Sequence, residues 1–292
     1  RAFVARDPRP DPLPESSPPA LRIVMPDSTT HPATGPRVIV ILGPTAGGKS
    51  DLAMELARRR GGELVSADSM QVYRGMDIGT AKPTAGERAE IAHHAIDLAE
   101  ASEEGFTVAR WLAVADAAVE DILARGKTPI VVGGTNLYIR AFLEGLDEAP
   151  AADAAFRAAL DAVPSDELHA RLAAQDPAAA ARLHPNDRRR VTRALEIAHA
   201  TGETATERRT AWIDAGVAPR RGDLFTVILD WPVELINRRI NARVKRMFDA
   251  GFVDEVARQT DRFKNFAPVY EATVDTPIFD ITFSTPLPAA LM

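Results

Sequence analysis

The chain contains the stretch Val38-Ile-Val-Ile-Leu-Gly-Pro-Thr-Ala-Gly-Gly-Lys-Ser50, which decides the fold. Its first five residues are aliphatic with no polar interruption, as is typical of a strand buried on both faces of a parallel sheet. Its last eight residues fit the pattern G-x-x-x-x-G-K-S/T, in which a glycine-rich loop between a strand and a helix binds phosphate. The stretch therefore predicts a strand, a phosphate-binding loop and a helix, in that order.

The loop pattern also predicts which groups would hold the phosphates. Backbone N–H groups can approach an anion closely where glycine, which has no Cβ, lines the loop. The ammonium of Lys49 would lie on the anionic oxygens, and the hydroxyl of Ser50 would bind Mg²⁺ at the positive end of the following helix. A glycine-rich turn without a ligand is the alternative, which the complete pattern disfavours. The predicted diphosphate- or nucleotide-binding residues are Gly43, Pro44, Thr45, Ala46, Gly47, Gly48, Lys49 and Ser50.

Composition excludes several classes of protein. The 292 residues include no cysteine, which excludes disulfides, thiolate nucleophiles and cysteine-based zinc sites and favours a reducing compartment. No apolar run approaches the roughly 18 residues of a membrane-spanning helix, so we expect no membrane contact. The six histidines show no metal-ligand spacing. We expect a monomeric, cytoplasmic protein.

Charge is spread unevenly along the chain. The net charge is −6, but the segment from Arg182 to Lys264 carries 17 Lys and Arg against 12 Asp and Glu. A basic segment within an acidic protein is compatible with a local anionic partner. Solvated helix faces would give the same pattern, so charge alone does not decide.

The pattern of apolar residues and prolines divides the chain into segments. The N-terminal extension holds nine of the 22 prolines and is predicted to be disordered, with Met25 as a candidate start. Ala-rich helical patterns with no strand candidate predict an all-α domain inserted into an α/β catalytic domain. The predicted bounds are 1–36 for the extension, 37–145 and 219–264 for the two parts of the catalytic domain, 146–218 for the insertion and 265–292 for an atypical tail.

Two polar residues follow predicted strands at the edge where open α/β sheets bind ligands. Asp68 ends a second strand, and Thr135 follows a third strand at Thr128 to Val132. With the phosphate-binding loop, they suit transfer of a group from a phosphate ester or diphosphate, with Asp68 taking a proton from the acceptor. Each residue could instead be the N-cap of a helix.

Three further stretches decide between these roles. They are Ser66-Ala-Asp-Ser-Met-Gln-Val-Tyr-Arg-Gly-Met-Asp-Ile-Gly-Thr-Ala-Lys-Pro83, Val132-Gly-Gly-Thr-Asn-Leu-Tyr138, and His184-Pro-Asn-Asp187 followed by Arg189 and Arg190. Together they closely resemble the tRNA dimethylallyltransferase (isopentenyltransferase) family, from about Val38 to Phe252. The Asp-Ser-Met-Gln-Val-Tyr block is far more specific than the phosphate-binding loop.

The resemblance implies a P-loop NTPase-like fold and transfer of a dimethylallyl group from dimethylallyl diphosphate to N6 of the adenine just 3′ of the anticodon. The implied partners are Mg²⁺ and the tRNA anticodon stem-loop, with Asp68 as general base and Thr135 orienting the reacting groups. A further diphosphate contact would fall on Arg239 or Arg243. The implied tRNA-binding residues are Asp68, Ser69, Met70, Gln71, Thr135, Arg157, Arg189, Arg190, Val191, Thr192 and Arg193.

Three other hypotheses remain open. An adenine-nucleotide isopentenyltransferase would share the loop and the base without a tRNA-binding insertion, and the segment that begins at His184 argues against it. A small-molecule P-loop kinase would use ATP, with Asp68 as base toward a hydroxyl. A non-enzymatic tRNA-binding remnant is the third, because the family's Gly-Tyr segment and basic stretch are absent after Asn265.

Overall fold

The computed structural model describes residues 20–24, 37–101, 106–146, 150, 153–214, 221 and 224–263. The atypical tail at 265–292 and most of the predicted N-terminal extension lie outside these residues. The predictions made for them are not tested by the structure.

In the described residues, six strands form one sheet in the order β1-β6-β2-β5-β3-β4. The strands from β6 to β4 are parallel to their neighbours, so their carboxyl ends share one edge of the sheet. This arrangement, with helices on both faces, confirms the predicted α/β class. The strands are β1 (Ala20–Val24), β2 (Val38–Leu42), β3 (Gly62–Ser66), β4 (His93–His94), β5 (Thr128–Val132) and β6 (Leu224–Asp230).

Strand β1 corrects one prediction. Residues 20–24 were expected to be disordered, but they pair antiparallel with β6, in a register that places Ala20 opposite Asp230. A five-residue edge strand between prolines has no periodic signal of its own, because its order comes from backbone pairing with a distant strand.

The described helices alternate with the strands in the first half of the chain and follow one another in the second half. They are α1 (Lys49–Arg60), α2 (Ala85–Glu90), α3 (Val108–Ala124), α4 (Asn136–Glu144), α5 (Ala154–Asp161), α6 (Ser165–Gln175), α7 (Pro177–Arg182), α8 (Arg188–Thr201), α9 (Ala205–Asp214), α10 (Val233–Asp249) and α11 (Phe252–Phe263).

The sheet is covered on both faces, as the uninterrupted apolar run of β2 predicts. On one face, α3 buries Trp111, whose ring stacks on Tyr138 at 4.5 Å and whose Nε1 donates to the Ser66 carbonyl at 2.8 Å. On the other face, α1 buries Ala53 and Met54. The indole bond fixes the end of β3, the strand that precedes Asp68.

The helices α5 to α9 enclose a hydrophobic cluster of their own, which includes Leu168, Leu172 and Val191. Their starts follow the sequence signals. Asp176 caps α7 by accepting a hydrogen bond from the Ala179 N–H at 2.9 Å. Asp187 caps α8 in the same way, by accepting from the Arg190 N–H. That residues 146–218 form a separate domain remains a prediction.

Candidate active site

Four chain segments meet at the carboxyl edge of the sheet. The glycine-rich loop follows β2, Asp68 follows β3, the turn that ends in Thr135 follows β5, and Trp231 follows β6. Parallel order explains the meeting, because it brings the ends of strands far apart in sequence to one edge.

The loop after β2 has the conformation that its sequence predicts. The Gly47 N–H donates to the Pro44 carbonyl at 3.1 Å, and a Cβ on Gly47 would lie 2.9 Å from that carbonyl oxygen. Gly48, with φ of 86°, lies in the left-handed region and is the N-cap of α1. The glycines therefore meet a backbone requirement that larger residues would strain.

The side chain of Lys49 folds back over the phosphate-binding loop. Its Nζ donates to the carbonyls of Gly43 at 2.9 Å and Pro44 at 2.8 Å. The pKa of Lys49 is lowered to about 8, mainly by burial and then by the nearby charge of Arg243, while the carboxylate of Asp68 opposes both. An anion bound beside Lys49 would stabilise its charged form.

Two side chains from the end of β6 and from α10 hold the loop from outside, and sequence reasoning missed the first of them. Nε1 of Trp231 donates to the Gly47 carbonyl at 2.9 Å, and Nε of Arg239 donates to the Ala46 carbonyl at 2.7 Å. The guanidinium carbon of Arg239 lies 4.6 Å from the centroid of the indole ring. Arg239 therefore contacts the loop itself.

A cavity of about 1300 Å³ opens beside the loop, between α10 and the segment from Arg74 to Arg88. Its wall includes eight basic side chains and three acidic ones, which favours an anionic ligand. Burial lowers the pKa of Arg243, and the carboxylate of Asp68 opposes this shift. The basic residues are Lys49, Arg74, Lys82, Arg88, Arg238, Arg239, Arg243 and Arg246.

The predicted Mg²⁺ ligand Ser50 is exposed and lines this cavity next to Asp51. Within the described ranges, no group of three or more His, Asp or Glu side chains could hold a metal ion. Mg²⁺ commonly takes few protein ligands and several oxygens from phosphate and water. The residues present therefore fit a metal that arrives with its phosphate ligand.

On the acceptor side of the edge, Thr135 is tied to the chain that follows β3. Its hydroxyl oxygen accepts a hydrogen bond from the Ser69 N–H at 2.9 Å and lies 3.3 Å from the Ser69 hydroxyl. Thr135 occupies the N-cap position of α4, but its side chain makes no capping bond. Thr135 is therefore the N-cap residue that the alternative describes, but its hydroxyl contacts Ser69 rather than the helix backbone.

Asp68 is half-buried, and its carboxylate accepts the Met70 N–H at 2.9 Å, as in an Asx turn. Asp68 precedes no described helix, so the capping alternative is wrong for this residue. Met70 has 47% of its surface exposed and presents an apolar side chain to solvent. Gln71 is engaged within the chain, because it accepts from the Ser66 hydroxyl and donates to the Thr80 carbonyl.

The segment after Gln71 is held in place by buried charges. Lys82 is nearly inaccessible and donates to Asp77 at 2.9 Å and to Asp97 at 2.6 Å. The carboxylate of Glu255 in α11 accepts three successive backbone N–H groups, from Asp77 to Gly79, at 2.7 to 2.9 Å. These contacts fix the wall of the cavity opposite α10.

Comparison with known proteins agrees with this geometry. A family model described as IPP transferase matches residues 71–273. The tRNA dimethylallyltransferase of Anaeromyxobacter dehalogenans (strain 2CP-C) is 51% identical over 236 residues, which cover 80% of this chain and 77% of that protein. This chain belongs to the IPP transferase family.

Solved structures place the IPP transferase chain in the same fold. The full-length tRNA isopentenylpyrophosphate transferase from Bacillus halodurans is 38% identical, with a TM-score of 0.52 over 77% of this chain and 70% of that one. A eukaryotic dimethylallyltransferase acting on tRNA is 32% identical, with a TM-score of 0.67 over 80% of this chain and 58% of that one. These similarities confirm the P-loop NTPase-like fold.

The helical segment of this IPP transferase separates the implied tRNA-binding residues into two groups. Arg157 and Arg193 bind the fully buried Glu196, at 2.9 and 2.5 Å. Burial would raise the pKa of Glu196, but these two arginines lower it to about 2. Both arginines therefore stabilise the helical segment by neutralising the buried Glu196.

The residues at the start of α8 differ in exposure. Arg189 and Arg190 are exposed, while Arg188 turns back and donates to carbonyls at the end of α5. Val191 is fully buried in the helical cluster. A side-chain contact between Val191 and tRNA is therefore contradicted, because that face of α8 packs inward. Thr192 is half-buried.

None of the helices in the described residues has the length and hydrophobicity needed to cross a bilayer.

Proposed function

We propose that this chain transfers the dimethylallyl group of dimethylallyl diphosphate to N6 of the adenosine 3′ of the anticodon in tRNA. One observation carries the proposal. Asp68 follows β3 at the same edge of the sheet where Lys49 follows β2, so a candidate base and a cation that would hold the diphosphate share that edge. The charge of Asp68 also opposes the pKa shifts of Lys49 and Arg243. Family membership and the names of the relatives support the same reaction.

The donor side would stabilise the leaving group. The bond between C1 of the allyl group and the diphosphate oxygen breaks, and negative charge grows on the diphosphate. Lys49, the basic face of α10 and the loop N–H groups are placed to accept that charge, at roughly 1.5–3 kcal/mol for each charge-assisted hydrogen bond. Mg²⁺, held by Ser50 and the diphosphate oxygens, would neutralise part of the same charge.

The acceptor side would supply the amine and remove its proton. The lone pair of adenine N6 is delocalised into the ring, so the N–H proton becomes acidic only as the new N6–C1 bond forms. Asp68 would take that proton at this stage. The base is stacked in a tRNA loop and must be splayed out to reach Asp68, where the exposed Met70 offers an apolar contact.

The helical segment 146–218 would hold the anticodon stem-loop as an inserted domain. Arg189 and Arg190 are exposed at the start of α8 and can reach phosphate oxygens. Arg157 and Arg193, bound to Glu196, would contribute through the groups that this ion pair leaves accessible.

A label-transfer assay tests the function. The chain, Mg²⁺ and dimethylallyl diphosphate labelled in the allyl group are incubated with unmodified tRNA, with the same tRNA carrying guanosine at the target position, or with AMP. We expect label on the unmodified tRNA alone. Label on AMP would support an adenine-nucleotide isopentenyltransferase, and ATP consumption without label transfer, in a parallel incubation, would support a kinase.

A further inference from the structure

The phosphate-binding loop is held by a pair of side chains that its own sequence pattern does not include. Nε1 of Trp231 binds the Gly47 carbonyl and Nε of Arg239 binds the Ala46 carbonyl, so two successive loop carbonyls have donors from outside the loop. The Arg239 guanidinium stacks on the indole ring, which makes the two side chains one unit.

We propose that Trp231 is a positioning residue that aims the Gly48 N–H at the donor diphosphate. This inference rests on the proposed function. In a planar trans peptide, the carbonyl and the following N–H point in opposite directions. When Trp231 holds the Gly47 carbonyl on one side, the N–H of Gly48 must point to the other side, away from the indole.

The backbone next to this peptide needs support. Ala46 has φ of 60°, which lies in the left-handed region and costs a residue with a Cβ of order 1–3 kcal/mol. Its carbonyl is the one that Arg239 binds. The side-chain pair therefore stabilises a strained loop conformation that the loop residues alone would not favour.

The two side chains approach the loop closely at its last two glycines. A Cβ on Gly47 would lie 3.3 Å from Nε1 of Trp231, and one on Gly48 would lie 3.7 Å from Nη2 of Arg239. The indole and the guanidinium thus lie directly on the last two glycines of the loop. The terminal nitrogens of Arg239 lie near Gly48. An anion bound by the Gly48 N–H would therefore also contact the Arg239 guanidinium.

The test removes the indole N–H and keeps the ring. Trp231→Phe retains an aromatic surface under Arg239, and Trp231→Leu, whose apolar side chain has no hydrogen-bond donor, is a second variant if the first fails to fold. Val233→Ala, at an exposed position outside the cavity wall, is the matched control. Titration calorimetry measures the affinity for inorganic pyrophosphate and, separately, for unmodified tRNA, and thermal unfolding gives the Tm.

We expect the two variants to bind pyrophosphate about tenfold more weakly, with tRNA affinity unchanged and the Tm lowered by at most a few degrees, and Val233→Ala to match the wild type. Trp231 fluorescence should change when pyrophosphate binds the wild-type protein, and this change should be absent from the variants. Unchanged pyrophosphate affinity would overturn the inference and leave the function standing. An equal loss of tRNA affinity and Tm would show a merely structural role, and a wild-type protein that binds no pyrophosphate would overturn both proposals.

Discussion

The Ser69 N–H donates to the Thr135 hydroxyl oxygen at 2.9 Å, and this bond joins the chain after β3 to the turn after β5. A second close contact, 3.3 Å between the two hydroxyl oxygens, strengthens the connection. Ser69 directly follows Asp68, so the position of the candidate base depends on Thr135.

We predict that Thr135→Ala lowers the single-turnover rate about tenfold at saturating donor and tRNA, because Asp68 loses its lateral support. Thr135→Ser keeps the hydroxyl and is the matched control, which should retain most of the wild-type rate. Rapid-quench measurement of labelled tRNA checks both. Equal rates for the alanine and serine variants would show that the bond has no part in catalysis.

The pKa of about 8 for Lys49 predicts a pH dependence of donor binding. Burial and Arg243 disfavour the charged form in the free protein, and a bound diphosphate favours it, so binding raises this pKa and takes up a proton. We expect affinity for dimethylallyl diphosphate without tRNA to fall roughly tenfold between pH 7 and pH 9, as Lys49 loses its proton in the free protein.

Calorimetry in buffers of different ionisation enthalpy measures that proton uptake directly. Lys49→Arg keeps its charge throughout this range and should show no uptake from this position. Uptake that persists in the arginine variant would assign the proton to another group, such as the diphosphate.

Arg190 and Arg157 should respond differently to truncation. The Arg190 side chain is 75% exposed, so Arg190→Ala should weaken tRNA binding several-fold at low salt, flatten its salt dependence and leave the Tm unchanged. Arg157 binds the buried Glu196 but is itself 46% exposed, so Arg157→Ala should also lower the free energy of unfolding, by roughly 1–2 kcal/mol, which is less than for a fully buried pair. Filter binding across a salt series and urea denaturation separate the two effects. Unchanged tRNA binding in Arg190→Ala would remove that residue from the interface.

The buried carboxylate of Glu63 in β3 should make the stability of the protein sensitive to acid. Hydrogen bonds from Arg125 first, and then from Lys127 and His94, hold the pKa of this buried carboxyl well below its usual range, although burial opposes them. Its contribution to stability is present above the unfolded pKa of about 4.3 and is lost as pH falls toward the folded pKa.

We expect Glu63→Gln to lower the free energy of unfolding by roughly 2 kcal/mol at pH 7, less than for a fully buried pair because Arg125 is 39% exposed. The difference between wild type and variant should shrink between pH 5 and pH 3 in urea denaturation. Glu55→Gln, in a surface pair on α1, is the control and should change little. A difference that stays constant with pH would show that packing, not charge, carries the effect.

Local patterns were enough to predict much of the fold. The aliphatic run of β2, the glycine at the start of α1 and the acidic cap of α8 each act over a few residues, so the sequence displays them directly. The strand β4 has two residues and the helix α2 has six, which is too short for a periodic signal. Neither was predicted.

The contacts that complete the site could not be derived from the sequence. Trp231 and Gly47 are 184 residues apart, and Glu255 and Asp77 are 178 apart, so their meeting depends on the sheet order and on the packing of α10 and α11. Val191 was assigned to the tRNA contacts because the family resemblance implies it. Its burial shows that neighbouring residues on a helix point in different directions.

The general-base role of Asp68 is tested most directly by the single-turnover rate of Asp68→Asn and Asp68→Ala with donor and tRNA already bound. If Asp68 takes the N6 proton, both variants should react about 10²–10⁴-fold more slowly than wild type, while their affinities for dimethylallyl diphosphate and tRNA stay within about twofold. A wild-type rate in both variants, or a slow rate that arises entirely from lost tRNA binding, would contradict the central claim that Asp68 is the general base.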